Sequence, residues 1–431
     1  VVITQRVVFC LKQSENRFKF FAIALMTVSK HCAIFFSTGQ MMSLRSPLCL
    51  SFDEPAGSDN GTITSLDVLF KMGPSASRTV SFSSNGAPLK RNGNALLCLG
   101  LVPALELGVD LVIDAEVDAE LLDRCNTIQA LLCAWYPGYR VISITASVAR
   151  PARGSSQRTA VFFSGGVDSS YSLTERRDSL DALVTLIGAD VDPEHHQQAE
   201  HLRDLSKNIA EAFDIEQIVI TTDIRRVSDS LVGWVEYHGA LLSAVGHLLT
   251  DRLDHVLIAS SADESSWNRR WGSHPALDPL WSTQDMQVEH HGLVHRLAKI
   301  ERITSVPTLM NHLRVCNFSE DNCGVCANCS FMLQALDLLD ARSLSPTYAH
   351  GNSSKTALEV TGEGSLSDMM HLRAAAIENK KDNLISAIDR ALAIYAARKR
   401  RERIFRTAEM SRRFKRFKRQ LRYLRSSRTG A

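Results

Sequence analysis

The stretch that most constrains this chain is Ala160-Val161-Phe162-Phe163-Ser164-Gly165-Gly166-Val167-Asp168-Ser169-Ser170. An apolar run of strand length stops abruptly at two glycines, which permit a tight turn with positive φ, and the following Ser-Ser-Tyr-Ser-Leu opens a helix. A strand that feeds a helix through such a turn aims backbone N–H groups and the helix dipole at one point, which makes a phosphate cradle. Gly165, Gly166 and Val167 contribute the turn, while Ser164, Ser169 and Ser170 add hydroxyl donors. No lysine of the P-loop type follows, so the cradle is chemically different from that motif. Asp168 is informative because a carboxylate beside phosphates makes sense mainly with a divalent cation such as Mg2+ between them. The bland alternative is an ordinary glycine-rich turn.

Downstream, apolar runs alternate with helical patterns at the spacing of βαβ units. Strands are expected over 181–188, 217–222 and 255–261, with helices over 193–213 and 227–249. Their carboxyl ends, at Ser164, 188–190, 222–223 and 260–261, should line one crevice of a doubly wound parallel sheet. A polar, aromatic loop over 263–283 carries three tryptophans and is read as a substrate lid, with His274, Asp278 and Arg270 as candidate contacts to an acceptor. The competing reading is a packed surface cover.

Ten cysteines divide into six scattered and four clustered, Cys316, Cys323, Cys326 and Cys329. The pattern Cys-x6-Cys-Gly-x-Cys-x2-Cys suits four thiolates around tetrahedral zinc, with an iron–sulfur cluster as the main competitor. Such clustering in a 431-residue chain fits a reducing, cytoplasmic setting better than a disulfide framework.

At the Ser-Gly-Gly-X-Asp-Ser signature the chain resembles the PP-loop ATP pyrophosphatase superfamily. The hexad followed by the four-cysteine pattern is similar to 7-cyano-7-deazaguanine synthase and its relatives, and Arg296-Leu-Ala-Lys299-Ile-Glu-Arg-Ile resembles that family's lysine segment. The resemblance spans residues 158–340. It implies ATP phosphates across Ser164 to Ser170, Mg2+ held partly by Asp168, stabilising charge from Lys299, and Zn2+ in a closed four-cysteine shell. The implied chemistry is cleavage between the α- and β-phosphates, with AMP left on a carboxylate or carbonyl acceptor before a nitrogen donor, itself unspecified, displaces it. Gly188-Ala-Asp-Val-Asp-Pro-Glu and Ser273-His-Pro-Ala-Leu-Asp278-Pro depart from the family's corresponding stretches. Sulfur insertion into tRNA and a non-catalytic ATP-binding module are the alternatives.

Outside that span, residues 51–148 read as a small α+β domain. Ala95 to Val102 is strand or short helix, since Gly100 and Pro103 argue against a long one. Strand, helix and strand follow over 110–113, 119–135 and 141–146. The first fifty residues read as outside the fold: Val1 opens the chain, Met26, Met41 and Met42 are the first internal starts, and the apolar run Phe20 to Ser29 is too short to span a bilayer. A signal peptide is disfavoured by its poor cleavage site, and an over-extended reading frame is the preferred account. Residues 341–431 read as a helical basic tail. From Arg398 onward, fifteen Lys and Arg face only Glu402 and Glu409, an excess of +13 that leaves the rest at −11 within an overall +2. Interleaved phenylalanines make RNA or an anionic membrane candidate contacts, against a solvated, partly disordered end. The expected architecture is α/β, a doubly wound PP-loop sheet with a four-cysteine segment and flanking N- and C-terminal units, assembled as a homo-oligomer.

Overall fold

The structure, a computed structural model, describes residues 46–53, 63–73, 76–149, 157–316, 318–319, 322–348 and 357–427. The possible leader and internal starts before residue 46 lie outside the described residues. In chain order the elements are β1 (Leu48–Phe52), β2 (Ser65–Met72), β3 (Ser77–Ser84), α1 (Gly93–Leu107), β4 (Leu111–Asp118), α2 (Ala119–Trp135), β5 (Ile144–Ala149) and β6 (Thr159–Phe162). They continue with α3 (Val167–Glu175), β7 (Ala182–Ile187), α4 (His196–Phe213), β8 (Glu216–Thr222), α5 (Ile224–Leu231), α6 (Trp234–Leu248), β9 (His255–Ala259) and β10 (Gln287–His291). The last third is helical: α7 (Arg296–Thr304), α8 (Pro307–Asn311), α9 (Ala327–Leu338), α10 (Glu363–Glu378), α11 (Asp382–Phe405) and α12 (Thr407–Ser426).

All ten strands join one sheet in the order β10-β9-β6-β7-β8-β3-β2-β1-β4-β5. The five strands from β10 to β8 are parallel throughout. Antiparallel pairing of β3 on β8, at Phe82↔Thr222, joins them to the strands of the N-terminal region. From β6 the chain moves outward to β7 and β8, then returns across to β9. This reversal puts the crevice of the parallel half between the carboxyl ends of β6 and β9, where doubly wound sheets bind ligands. Thus the regions 51–148 and 155–340 share a single sheet, and β1 begins inside the first fifty residues.

The sequence reading missed β1, β2, β3 and β10. It also underestimated α1, a helix of 15 residues with Pro103 inside it and every residue buried. Proline frees the carbonyl four residues earlier, and Tyr237 on α6 donates its hydroxyl to that Leu99 oxygen at 3.2 Å. Gly100 lets the helix sit down on the sheet, since a Cβ there would come within 2.7 Å of Leu111 Cδ1. A helix apolar on all sides is stable only when enclosed. The single helix expected over 227–249 is instead two, α5 and α6, because Val232 is extended (φ −145°, ψ 164°) and Gly233 starts a new helix. The basic tail is folded through Ser427: α12 lies along the body, with Tyr423 buried and bonded to Ser46 O at 2.9 Å. Among the described residues no helix is long and apolar enough to cross a membrane.

Candidate functional site

The glycine-rich loop after β6 makes the strand-to-helix turn that its sequence demands. β6 ends at Phe162, Gly165 is left-handed (φ +74°), and Gly166 is the N-cap of α3. A side chain at Gly165 would meet Leu205 Cδ2 at 2.9 Å, so glycine is required twice over. Ser169 Oγ braces the loop, donating to Gly166 O at 3.2 Å and accepting from Ser164 N at 3.3 Å. Ser164 is exposed, whereas Ser170 is 1% exposed and Val167 is buried against α7. The hydroxyl facing solvent at the loop is therefore that of Ser164.

Asp168, in the first turn of α3, meets two cations delivered by α7. Lys299 Nζ donates to Asp168 Oδ1 at 2.9 Å and to Ser260 O at 2.5 Å, and Arg296 Nη2 donates to Asp168 Oδ2 at 3.1 Å. Lys299 is 1% exposed against 22% for Asp168, so the ammonium is inside and the carboxylate is at the rim. A buried ammonium costs several kcal/mol unless paired and hydrogen-bonded, and Asp168 with the Ser260 carbonyl does both. Burial opposes the charge on Asp168, but Arg296 and Lys299 outweigh it and hold its carboxyl below the ordinary range. Each carboxylate oxygen accepts one of these bonds, and Asp168 also lines the adjoining cavity.

Further groups converge here from segments that carry no motif. Asp368 on α10 approaches Arg296 Nε at 3.4 Å, and burial pushes its own carboxyl up. Asp263, after β9, accepts from Ser367 Oγ and His371 Nε2, both at 3.0 Å, which ties α10 to the crevice. Arg314 N donates to Gly165 O at 2.9 Å and so docks the segment before the first clustered cysteine onto the loop.

Between the loop and α6 lies a cavity of about 290 Å³ lined by Ser164, Asp168, Asp190, Trp234, His238 and Trp271, among others. Its lining includes Phe162 and Val184, paired across β6 and β7, and Ile258 on β9. His238 stands between the rings of Trp234 (5.7 Å) and Trp271 (5.3 Å) and accepts from Trp271 Nε1 at 2.9 Å. Burial keeps this imidazole below its usual pKa, as an accepting Nε2 requires. From Gly272 to Thr283 the segment is mostly packed down, with Trp281 fully buried, whereas Trp267 before it is 54% exposed. Of the three residues read there as substrate contacts, Asp278 is fully buried and accepts from Ser273 Oγ (2.6 Å) and His290 Nδ1 (2.7 Å). His274 is 2% exposed with its ring 4.5 Å from that of Trp135, and Arg270 is exposed; none of the three lines this cavity.

The sulfurs of Cys316, Cys323, Cys326 and Cys329 lie within 4.8 Å of one another, placed to hold a metal ion. Cys323 Sγ and Cys329 Sγ are 3.9 Å apart, close to the roughly 3.8 Å edge of a tetrahedron with metal–sulfur bonds of about 2.3 Å. Backbone N–H groups of Phe318, Cys326 and Cys329 point at the sulfurs of Cys316, Cys323 and Cys326 at 3.4 to 3.5 Å, yet burial holds the Cys326 and Cys329 thiols up. Burial raises the Cys316 thiol, but the Ser319 hydroxyl and nearby N–H donors prevail and bring it down to about 6.

Fold and site together define an α/β protein with a glycine-rich loop at the switch point of the parallel half of its sheet and a four-cysteine segment that could hold a metal ion. Comparison with protein-family profiles, with curated proteins and with solved structures gave no match.

Proposed function

We propose that this chain is an ATP-dependent, AMP-forming enzyme of the PP-loop type that adenylates a carboxylate or carbonyl acceptor and releases pyrophosphate. The observation that carries this reading is the meeting of Lys299 and Arg296 with Asp168 at the N-terminus of α3, across 131 and 128 residues of sequence. A helix N-terminus supplies partial positive charge, two fixed cations add full charges, and a rim carboxylate suits Mg2+. Such a set stabilises a departing pyrophosphate without asking for covalent catalysis, so positioning and charge neutralisation are the main contributions.

In this reading Ser164 and the loop N–H groups bind the β- and γ-phosphates and Asp168 helps hold Mg2+. The acceptor oxygen attacks the α-phosphorus as the bond to the β-phosphate oxygen breaks. Lys299 and Arg296 balance the charge that collects on the leaving group. A neutral nitrogen nucleophile then displaces AMP and loses a proton, giving an amide. The aromatic slot of Trp234, His238 and Trp271 takes a planar acceptor, in place of His274, Asp278 and Arg270. The four cysteines would hold Zn2+ as a structural ion in a closed shell, which favours nitrogen over sulfur transfer because it leaves those thiols unavailable as sulfur carriers. A reducing compartment follows from the same thiolates.

The test is formation of AMP and pyrophosphate from Mg-ATP with a panel of planar carboxylic acids headed by 7-carboxy-7-deazaguanine. Acid-dependent release, lost in Lys299→Met by roughly a hundredfold or more, is expected. ATP binding with no release across the panel would sink the enzymatic reading in favour of a nucleotide-binding module.

A further inference from the structure

Helix α12 has two faces of different character. Toward the body it presents Arg412, Arg416, Arg419, Gln420 and Tyr423, all engaged with α1, α6 or the N-terminal end of the sheet. Toward solvent it presents Met410, Phe414, Phe417 and Leu421, exposed by 63, 57, 55 and 36%. Their spacing of four, three and four residues puts them in one line along the helix. Arg413 borders this line on one side and Lys418 and Arg425 on the other, all exposed, with no acidic residue among residues 410–426.

We propose that this face binds the surface of a bilayer containing anionic phospholipids, with the four apolar side chains entering the interface and the flanking Lys and Arg meeting lipid phosphates. A straight apolar line bordered by basic side chains is what a helix lying flat on a charged bilayer needs. The charge distribution selects the orientation as well. The excess of +13 from Arg398 onward stands against −11 in the rest of the chain, so an anionic surface attracts this end and repels the other. Two other occupants fit less well. A second copy would bring two equally basic faces together. Single-stranded RNA needs open ring faces, whereas Lys418 Nζ sits 4.5 Å over the Phe414 ring, and Met410 and Leu421 offer no ring at all.

The experiment is flotation of the full chain with phosphatidylcholine vesicles, with and without phosphatidylserine. It is run on the native chain, on Phe414→Asp/Phe417→Asp and on Lys418→Glu/Arg422→Glu, with circular dichroism and melting as controls for folding. Binding is expected only to phosphatidylserine vesicles, weakened about tenfold or more by either double variant with melting unchanged. No flotation with the anionic vesicles overturns the proposal, as does binding that survives Phe414→Asp/Phe417→Asp. Loss of RNA-oligonucleotide binding or of self-association in these variants, with vesicle binding intact, overturns it in favour of those partners.

Discussion

Asp168 serves stability and the candidate chemistry together, which sets what its substitution should do. Replacing it with alanine leaves Lys299 buried without its carboxylate and Arg296 without one of its two acidic partners, and breaking such a pair costs about 3–5 kcal/mol. Asp168→Asn keeps the shape and should lose less stability while losing pyrophosphate release completely. Release assays run beside urea unfolding of the native chain and D168N check both halves of this expectation. Retained turnover in D168N would remove Asp168 from the mechanism. Acid should act on Asp263. Asp263 is penalised by burial, yet Ser265, His371 and Ser367 hold its carboxyl down to about 2 from 3.8. A depressed carboxyl stabilises the fold fully above the unfolded value and loses that contribution as pH falls through the folded one. Stability should therefore drop between about pH 4 and pH 2, and Asp263→Asn should flatten that part of the curve in a pH series of denaturant midpoints. The glycine-rich hexad, Lys299 and the four cysteines were legible in the sequence because each belongs to a short local pattern. Arg296, Arg314, Asp368 and the Trp234–His238–Trp271 slot were not, since only the packing of α6, α7 and α10 brings them to the crevice.

At the scale of elements, two close approaches hold the crevice open. Gly239 on α6 faces the Gly272 carbonyl so closely that a Cβ would strike it, and this contact sets Trp271 against His238. Gly239→Ala should push the 271–273 backbone away, destabilise the fold by about 1–3 kcal/mol and weaken ligand binding. A variant that melts and binds like the native chain would show that the slot is not set by this contact. The second is the docking of the cysteine segment, where Asn322 bonds Leu313 O and Val315 N, and Arg314 N bonds the loop carbonyl of Gly165. We expect one zinc per chain and no visible absorption band. Its removal by a chelator should speed amide hydrogen exchange over residues 164–170. Iron in the preparation, or unchanged exchange, would contradict this. Helices α2 and α4 were readable from periodicity and their ends. Helix α1 was not, because the partner that satisfies the carbonyl freed by Pro103 is a tyrosine 138 residues away.

At the scale of the whole molecule, the sheet and α12 bind the chain into one unit from Ser46 onward. Local patterning suggested an N-terminal domain separate from the doubly wound sheet, because βαβ spacing is visible locally. The antiparallel seam of β3 on β8 is a pairing across some 140 residues that no local pattern announces. Helix α12 closes the structure at a particular point. The last turn of α1 has no basic residue of its own, and its Leu105, Glu106 and Leu107 carbonyls accept from Arg416 and Gln420 while Arg419 pairs with the buried Glu106 side chain. Deleting residues 406–431 should therefore cost about 3–5 kcal/mol in urea unfolding, far beyond the loss of a surface helix. An unchanged midpoint would mean that these bonds contribute nothing net.

The distance along the chain between those partners, 310 residues from Glu106 to Arg416, carries a consequence for biosynthesis. As the polypeptide leaves the ribosome, α1, apolar but for Asn94 and Glu106, emerges before the groups that answer its final carbonyls have been made. The last contacts of the N-terminal half therefore form only after the arginines of α12 have been made.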